Sequence, residues 1–160
     1  MDSATALAGG AVIASPAVPD AVLFTCGGHL FALPLTAVRE VLDPRPLTRL
    51  PGCGPEVAGL ANLRGKVLTV FDLGGVLGLG HSCVSGSHQL LHLAHDERLA
   101  AFAVDRVVGV KRAAVEELSI DAATLRSLDI DPDGVMGIGV HDGTPYILLD
   151  PDHLFRRLLT

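Results

Sequence analysis

Short apolar runs, separated by glycine-rich or acidic turns, dominate the chain after its first twenty residues. Runs of this length are typical of β-strands, and glycine and proline clusters between them mark turns. Several neighbouring runs are joined by only a few polar residues, which is the pattern of β-hairpins. The runs interpreted as strands are 21–26, 29–33, 47–50, 57–63, 67–71, 89–94, 99–104, 107–110, 135–141 and 145–149.

Three of the connections carry a specific turn signal. Gly27-Gly28 supplies the positive φ that a two-residue hairpin turn needs. Arg64-Gly65-Lys66 predicts a second hairpin, with Gly65 in the strained position and Arg64 directed outward. Asp142-Gly143-Thr144 predicts a third.

Four segments have helical features. Apolar residues at helical spacing predict one or two turns of helix over 35–42, and 119–128 is weakly helical. Asp72 stands where an N-cap would, ahead of a short helix over 73–77. A terminal helix over 151–159 begins with proline at its first position and ends near two arginines, which complement the negative helix end.

Many short strands with few helices predict all-β barrels. A barrel of about 60 residues is marginal alone, so two barrels packed together are expected. The Gly/Ser loop 78–87 is the expected boundary between the halves, and 1–19 is interpreted as a flexible tail.

Composition narrows the functional classes. Hydrophobic residues make up 49% of the chain and aromatic residues only 4%, so the core must be mainly aliphatic. The formal net charge is −6 and no stripe of Lys and Arg occurs, which argues against nucleic acid or an anionic membrane as a partner. No run is long and apolar enough for a membrane span, so no membrane insertion is expected.

The N-terminal segment and the cysteines favour a cytoplasmic protein. Residues 4–18 are apolar, but no basic region precedes them and glycines and a proline interrupt them, unlike a signal peptide. Cys26, Cys53 and Cys83 are widely spaced and odd in number, so no disulfide is expected. Two of the three are expected to be buried and the third to lie in a loop.

The candidate metal and catalytic motifs are incomplete. Residues 129–134 match the opening of an EF-hand calcium loop, but Val140 stands at the twelfth position, where a bidentate Glu belongs. Four residues suggest a zinc site but lack the usual ligand spacings, and solvent-facing histidines explain them equally well: His81, Cys83, His88 and His92. The glycines of 134–139 lack the helix and Lys-Ser/Thr ending of a phosphate loop. No nucleophile, acid and base are recognisable together, so we expect a protein that is not an enzyme and needs no cofactor.

Arg64 in its hairpin remains open to two interpretations. Arginine is enriched among the residues that dominate binding at protein interfaces, which favours a contact residue. An ordinary solvated turn charge, which contributes little, explains the same pattern.

An ordered set of segments extends over about residues 20–159. Its members are 22–24, 31–34, 38–41, 47–51, 59–65, 70–73, 104–110, 137–139, 146–150 and 154–155. Together, in this order and spacing, they resemble CheW-like domains. The resemblance implies a mainly β fold: two SH3-like five-stranded β-barrel subdomains around a shared core, with short helices and a C-terminal helix. The subdomains would cover about 29–86 and about 87–150, and the helix 151–159.

The resemblance also implies a function. CheW-like adaptors join the cytoplasmic tip of a chemoreceptor to the regulatory domain of a CheA-type histidine kinase, without chemistry of their own. A small-molecule or metal-binding β-barrel that uses the His81–His92 region is the alternative from another class.

Particular residues carry this expectation. The positions that match receptor or kinase contacts of the family are Val38, Gly59, Asn62 and Arg64, with looser matches at Glu40 and Val41. Gly74 departs from the family, because an Arg often follows the preceding Asp-Leu pair.

Overall fold

The computed structural model describes residues 19–79, 82–112 and 130–159, whose strands form two five-stranded sheets. Sheet A has the order β8-β1-β2-β10-β9 and sheet B the order β3-β6-β7-β5-β4. The strands of sheet A are β1 (Ala21–Cys26), β2 (His29–Pro34), β8 (Arg106–Lys111), β9 (Val135–His141) and β10 (Thr144–Leu149). The strands of sheet B are β3 (Val38–Leu42), β4 (Val57–Leu63), β5 (Lys66–Asp72), β6 (Gln89–His95) and β7 (Arg98–Val104).

Both sheets are assembled in the same way. In each, two antiparallel hairpins are joined through one parallel pair, β2 with β10 in sheet A and β5 with β7 in sheet B. A further antiparallel strand completes each sheet, β8 beside β1 and β3 beside β6. The sequence halves expected as subdomains, about 29–86 and 87–150, each contribute strands to both sheets.

Buried apolar side chains of the described residues form three clusters. The main cluster combines residues of both sheets with the C-terminal helix, and its largest members are Phe24, Phe31, Phe71, Phe102 and Phe155. A smaller cluster of Leu, Val and Ala belongs to sheet B alone, and another belongs to sheet A alone. This arrangement confirms the mainly β fold with two five-stranded units around a shared core.

Two of the predicted helices are confirmed and one is wrong. The terminal helix, α2, spans Pro151–Leu159, and α1 spans Leu73–Val76 with Asp72 as its N-cap. The helix predicted over 35–42 is instead a 3-10 turn, Leu35–Ala37, followed by β3. Pairing with β6 supplies the backbone of β3 with hydrogen bonds that outweigh its helical spacing. The weakly helical 119–128 lies outside the described residues.

The prediction that no disulfide forms is wrong. Cys26 and Cys83 are both buried and joined to each other, with a sequence separation of 57 and Cα atoms 6.3 Å apart. The two cysteines are far apart in sequence and come together only because the loop before β6 returns to the end of β1. The sequence alone therefore did not indicate the pair. Cys53 is exposed, as expected for a loop thiol.

The expected tail, 1–19, falls almost wholly outside the residues that the structure describes. Among the helices that are described, none has the combination of length and hydropathy that crossing a bilayer requires.

Candidate functional site

The turn between β4 and β5 presents Arg64 at the surface. Leu63 and Lys66 face each other across the hairpin, and the two residues between them have positive φ, 52° at Arg64 and 83° at Gly65. The Asn62 side-chain oxygen accepts a hydrogen bond from the Gly65 N–H at 3.0 Å, which stabilises the turn. The predicted hairpin is confirmed, and the strained backbone includes Arg64 itself.

The Arg64 guanidinium makes a two-pronged ion pair with Glu40 on β3. Nη1 donates to Oε1 at 2.8 Å, and Nη2 donates to Oε2 at 2.7 Å. This parallel geometry matches the fork of a guanidinium to the two oxygens of a carboxylate. The hydrogen bonds from Arg64 lower the pKa of Glu40 to about 2, although partial burial acts in the opposite direction.

The ion pair connects the two edges of sheet B. β3 lies at one edge of the sheet and β4 at the other, so no backbone ladder joins them. Arg64, at the end of β4, reaches across to Glu40 on β3. Side chains therefore link the edges at this position in place of main-chain hydrogen bonds.

His92 is the third member of this network. It stands opposite Glu40 in the pairing of β6 with β3, and its Nδ1 lies 3.5 Å from Glu40 Oε1. Only 12% of its side chain is exposed, and its Nε2 is buried with no hydrogen-bond partner in the described part of the chain. His88 is likewise buried, so the prediction of solvent-facing histidines is wrong at both positions.

Val38 and Val41 lie on the other face of β3. They stand opposite Leu93 and Leu91, two residues of the main core, whereas Glu40 stands opposite His92. Val38 packs against that core, but Val41 is 41% exposed. Val41 therefore offers an exposed apolar side chain on the face of β3 opposite to Glu40.

Gly59 lies apart from the ion pair and has a backbone reason to be glycine. Its φ is 149°, and a Cβ built on it would come within 2.5 Å of the Thr48 carbonyl oxygen. At this point the segment before β4 pairs with β4, through two hydrogen bonds between Thr48 and Leu60, each 2.8 Å long. Gly59 thus permits close approach of two chain segments.

A separate open cavity of about 1080 Å³ lies between residues 49–58 and α1. Asp72 and Gly74 belong to its lining. Gly74 is buried and its N–H donates to the Asp72 carboxylate at 3.1 Å. A Cβ on the next residue, Gly75, would lie 2.1 Å from the Pro55 carbonyl oxygen, so backbone packs directly on backbone here. Gly74, where an Arg is expected from the resemblance, therefore lies in a closely packed wall of the cavity.

The candidate metal residues are not brought together in the described part of the chain. Within 19–79, 82–112 and 130–159, no group of three or more His, Cys, Asp and Glu side chains is arranged to hold a metal ion. His81 and Asp129 lie outside these residues. Asp131 caps a 3-10 turn, Pro132–Gly134, by accepting from the Asp133 N–H at 3.0 Å, and β9 follows directly in place of an EF-hand exit helix.

Comparison with known proteins gives a consistent result. The family model of the CheW-like domain matches residues 20–159. Protein PilI of Pseudomonas aeruginosa (strain PAO1) is 35% identical over 134 residues, which cover 84% of this chain and 74% of that protein. Chemotaxis protein CheW of Rhizobium meliloti (strain 1021) is 25% identical over 136 residues, covering 85% of this chain and 86% of that protein.

The fold has a counterpart among solved structures. The crystal structure of the scaffolding protein TtCheW from Thermoanaerobacter tengcongensis superposes with a TM-score of 0.74 at 24% sequence identity. The match covers 92% of this chain and 94% of that chain. The two five-stranded units and their arrangement are therefore shared with that protein.

Proposed function

Because this chain belongs to the CheW-like domain family, we propose that it is a signalling adaptor that joins chemoreceptors to a CheA-type histidine kinase. The match over residues 20–159 supports this proposal most directly, since it takes in both sheets and the terminal helix. The adaptor works in the cytoplasm, where the receptor tip and the kinase regulatory domain meet. It contributes binding surfaces and no chemistry.

The surface around the Arg64–Glu40 pair is the proposed contact site. Arg64 leaves 70% of its side chain exposed, and Asn62 is exposed next to it, whereas Val41 is exposed on the other face of β3. Arginine is enriched among the residues that dominate binding energy at interfaces. Glu40 contributes by holding the guanidinium in position, so that less side-chain entropy is lost on binding.

Gly59 and Val38 support the site indirectly. Gly59 is buried and Val38 packs on the main core, so neither offers much surface to a partner. We propose that they shape β4 and β3, which carry Asn62 and Glu40.

Charge reversal at Arg64 tests the contact. We expect Arg64→Glu to leave the fold intact, because the side chain lies in a surface turn, and to weaken binding to the receptor tip or the kinase regulatory domain at least about tenfold. Binding is measured by titration calorimetry, and folding by circular dichroism.

Arg112→Glu is the matched control, since it reverses an exposed arginine that follows β8 in sheet A. It should bind both partners as the wild type does. Normal binding of both partners by Arg64→Glu would remove Arg64 from the proposed interface.

A further inference from the structure

The face of sheet B that carries Glu40 also carries an exposed apolar side chain, Leu99. Glu40 stands opposite His92, and His92 stands opposite Ala101, so these three side chains share one face of β3, β6 and β7. Ala101 belongs to the apolar cluster of sheet B alone. Leu99 lies two residues before Ala101 on β7, and it therefore points to the same face.

Leu99 and the Arg64–Glu40 ion pair lie at the same end of sheet B. β5 runs parallel to β7, so the turn that precedes β5 and carries Arg64 lies at the end where β7 begins. β7 is the middle strand of the sheet, whereas the ion pair joins its two edge strands, β3 and β4. The ion pair and Leu99 therefore lie on opposite sides of one open end of the sheet.

The exposure of Leu99 distinguishes it from its neighbours on this face. Its side chain is 37% exposed, whereas Ala101, the next residue along the same face, is 1% exposed. Ala94 stands directly opposite Leu99 and is half-buried. Val41 is also exposed, but it lies on the other face of β3. Leu99 is thus a large apolar side chain that a partner in contact with Arg64 can reach.

The two turns at this end of the sheet carry opposite charges. The β4–β5 turn presents Arg64 and Lys66, which are both exposed, and the β6–β7 turn presents Asp96 and Glu97, which are both exposed. Arg98 lies over a ring of the main cluster, on the other face of the sheet. An apolar side chain is therefore flanked by a positive turn on one side and a negative turn on the other.

We propose that Leu99 is the apolar anchor of the contact site, and that the partner places an apolar side chain on it, a carboxylate at the β4–β5 turn and a basic side chain at the β6–β7 turn. The inference rests on the proposed adaptor function and names the chemistry of the surface that the adaptor recognises. An apolar centre with a charged rim is the usual composition of a protein interface. The opposite charges of the two turns fix the orientation in which the partner docks.

Leu99→Ala tests the anchor. Titration calorimetry is carried out with a CheA-type kinase regulatory domain and, separately, with a chemoreceptor cytoplasmic tip. We expect the affinity for at least one of them to fall about tenfold, because truncation of a central apolar anchor removes a large share of the binding energy. The partner affected should be the one that Arg64→Glu also loses. Val108→Ala, at a 52% exposed position of β8 in sheet A, is the matched control and should bind normally.

Lys66→Glu and Glu97→Lys test the charges without altering any buried side chain. Each reversal should lower the association rate of that same partner several-fold at low salt, and the difference from the wild type should fade as salt is added. Rates are measured by stopped-flow fluorescence with a labelled partner, and circular dichroism verifies that each variant is folded. Arg112→Glu, an exposed charge that follows β8, should associate as the wild type does.

The outcomes separate the inference from the adaptor function. A wild type that binds neither partner would refute the adaptor function and the anchor with it. If the wild type binds but Leu99→Ala binds equally well, the adaptor function stands and the anchor is overturned. Loss of affinity in Leu99→Ala together with unchanged association rates in both charge variants would support the anchor and overturn the charges assigned to the partner.

Discussion

Arg64 carries its charge on a backbone with φ of 52°, a region that glycine, asparagine and aspartate adopt more readily than arginine does. With Gly65 it forms a turn whose twist suits the flanking strands of a hairpin. The turn directs the side chain toward Glu40 while leaving most of it in solvent. Local backbone strain and the ion pair together hold an exposed cation in one orientation.

The ion pair of Glu40 makes part of the unfolding free energy depend on pH. The pKa of Glu40 falls from 4.5 to about 2 because Arg64 donates to the ionised carboxylate. A carboxyl with a depressed pKa contributes stability that is fully present above its unfolded value and is lost as the pH falls toward its folded value. The stability difference between wild type and Glu40→Gln should thus be constant above about pH 4.5 and shrink between there and about pH 2.

Urea unfolding at a series of pH values measures this difference. As a control, Asn62→Gln is introduced both into the wild type and into Glu40→Gln. The stability difference between these two proteins should depend on pH in the same way, because an amide side chain does not titrate. A difference that stays constant down to about pH 2 would show that Glu40 gains nothing from Arg64.

Gly59 is expected to tolerate no side chain. Gly59→Ala would bring a methyl group within 2.5 Å of the Thr48 carbonyl oxygen and strain the backbone at positive φ. We expect a loss of about 1–3 kcal/mol of unfolding free energy. Gly65→Ala is the control, because φ is positive there too but nothing lies within 4 Å of the added methyl group. Equal losses in both variants would show that the contact with Thr48 is unimportant.

Sequence alone located the hairpin, its turn and the outward Arg64, because turn chemistry is a local property. It could not show that Arg64 pairs with Glu40, since their contact depends on how the edges of sheet B meet. The contact of His92 with Glu40 could not be predicted from the sequence for the same reason. Its alternation with Leu91 and Leu93 is compatible with a solvent-facing strand, and only the register of β6 against β3 places it beside Glu40.

Among the elements, α1 is short and depends on its N-cap residue, Asp72. The Asp72 carboxylate accepts from the Gly74 N–H at 3.1 Å, from the Cys83 N–H at 2.9 Å and from the Ser82 hydroxyl. One buried side chain thereby caps the helix and fixes the loop that precedes β6.

Removal of this acceptor should cost more than removal of one donor. We expect Asp72→Ala to lower the unfolding free energy by about 1–3 kcal/mol, because buried N–H groups lose their acceptor. Ser82→Ala, which leaves both backbone bonds intact, should cost clearly less. Chemical denaturation of the two variants measures the difference, and equal effects would contradict the capping role.

The helix predicted over 35–42 rests on the helical spacing of Leu35, Val38 and Leu42, but Val38 and Leu42 pack into different clusters on the two faces of β3. A register shift between Val38 and Glu40 inserts an extra residue into β3. As a result Val38 and Val41, three residues apart, face the same side of the sheet. A spacing of three is the mark of a helix face in sequence, and here a β-bulge produces it. The terminal helix, by contrast, has a proline start and regular spacing that no pairing overrides.

At the scale of the whole molecule, Phe155 joins the terminal helix to sheet B. It is fully buried in the main cluster, with its ring 5.7 Å from that of His95 and 6.4 Å from that of Phe102. The Arg98 guanidinium lies over the same ring, 5.7 Å from its centre. His95 also lies 2.8 Å from Asp152 on the helix, and this hydrogen bond lowers the pKa of Asp152.

Truncation of the Phe155 ring should destabilise the protein more than loss of the Asp152 charge beside His95. We expect Phe155→Ala to cost about 3–5 kcal/mol, the usual range for removal of a buried phenyl group. Asp152→Asn, at the half-exposed end of the same helix, should have a much smaller effect. Thermal unfolding followed by circular dichroism distinguishes the two, and similar melting temperatures would argue against Phe155 as the link.

The fold class followed from the strand pattern and the resemblance, but the assignment of strands to sheets did not. Local signals identify hairpins such as β4 with β5, because each hairpin is contiguous in sequence. They contain nothing about the parallel pairs of β2 with β10 and β5 with β7, which join hairpins from distant parts of the chain. The pairing of Cys26 with Cys83 was hidden by the same long-range return of the chain.

The parallel pairing of β2 with β10 can form only late in synthesis by the ribosome. β2 ends at Pro34, whereas its neighbour in sheet A is complete only at Leu149. The first hairpin therefore emerges with both edges open and an apolar face, and its β2 edge must wait on the order of 10 s at ordinary translation rates before β10 arrives. Sheet B, whose last strand ends at Val104, can close earlier and offer that hairpin a surface to rest on. An open edge of this kind is prone to wrong pairing, so the nascent chain is the form of this protein most exposed to aggregation.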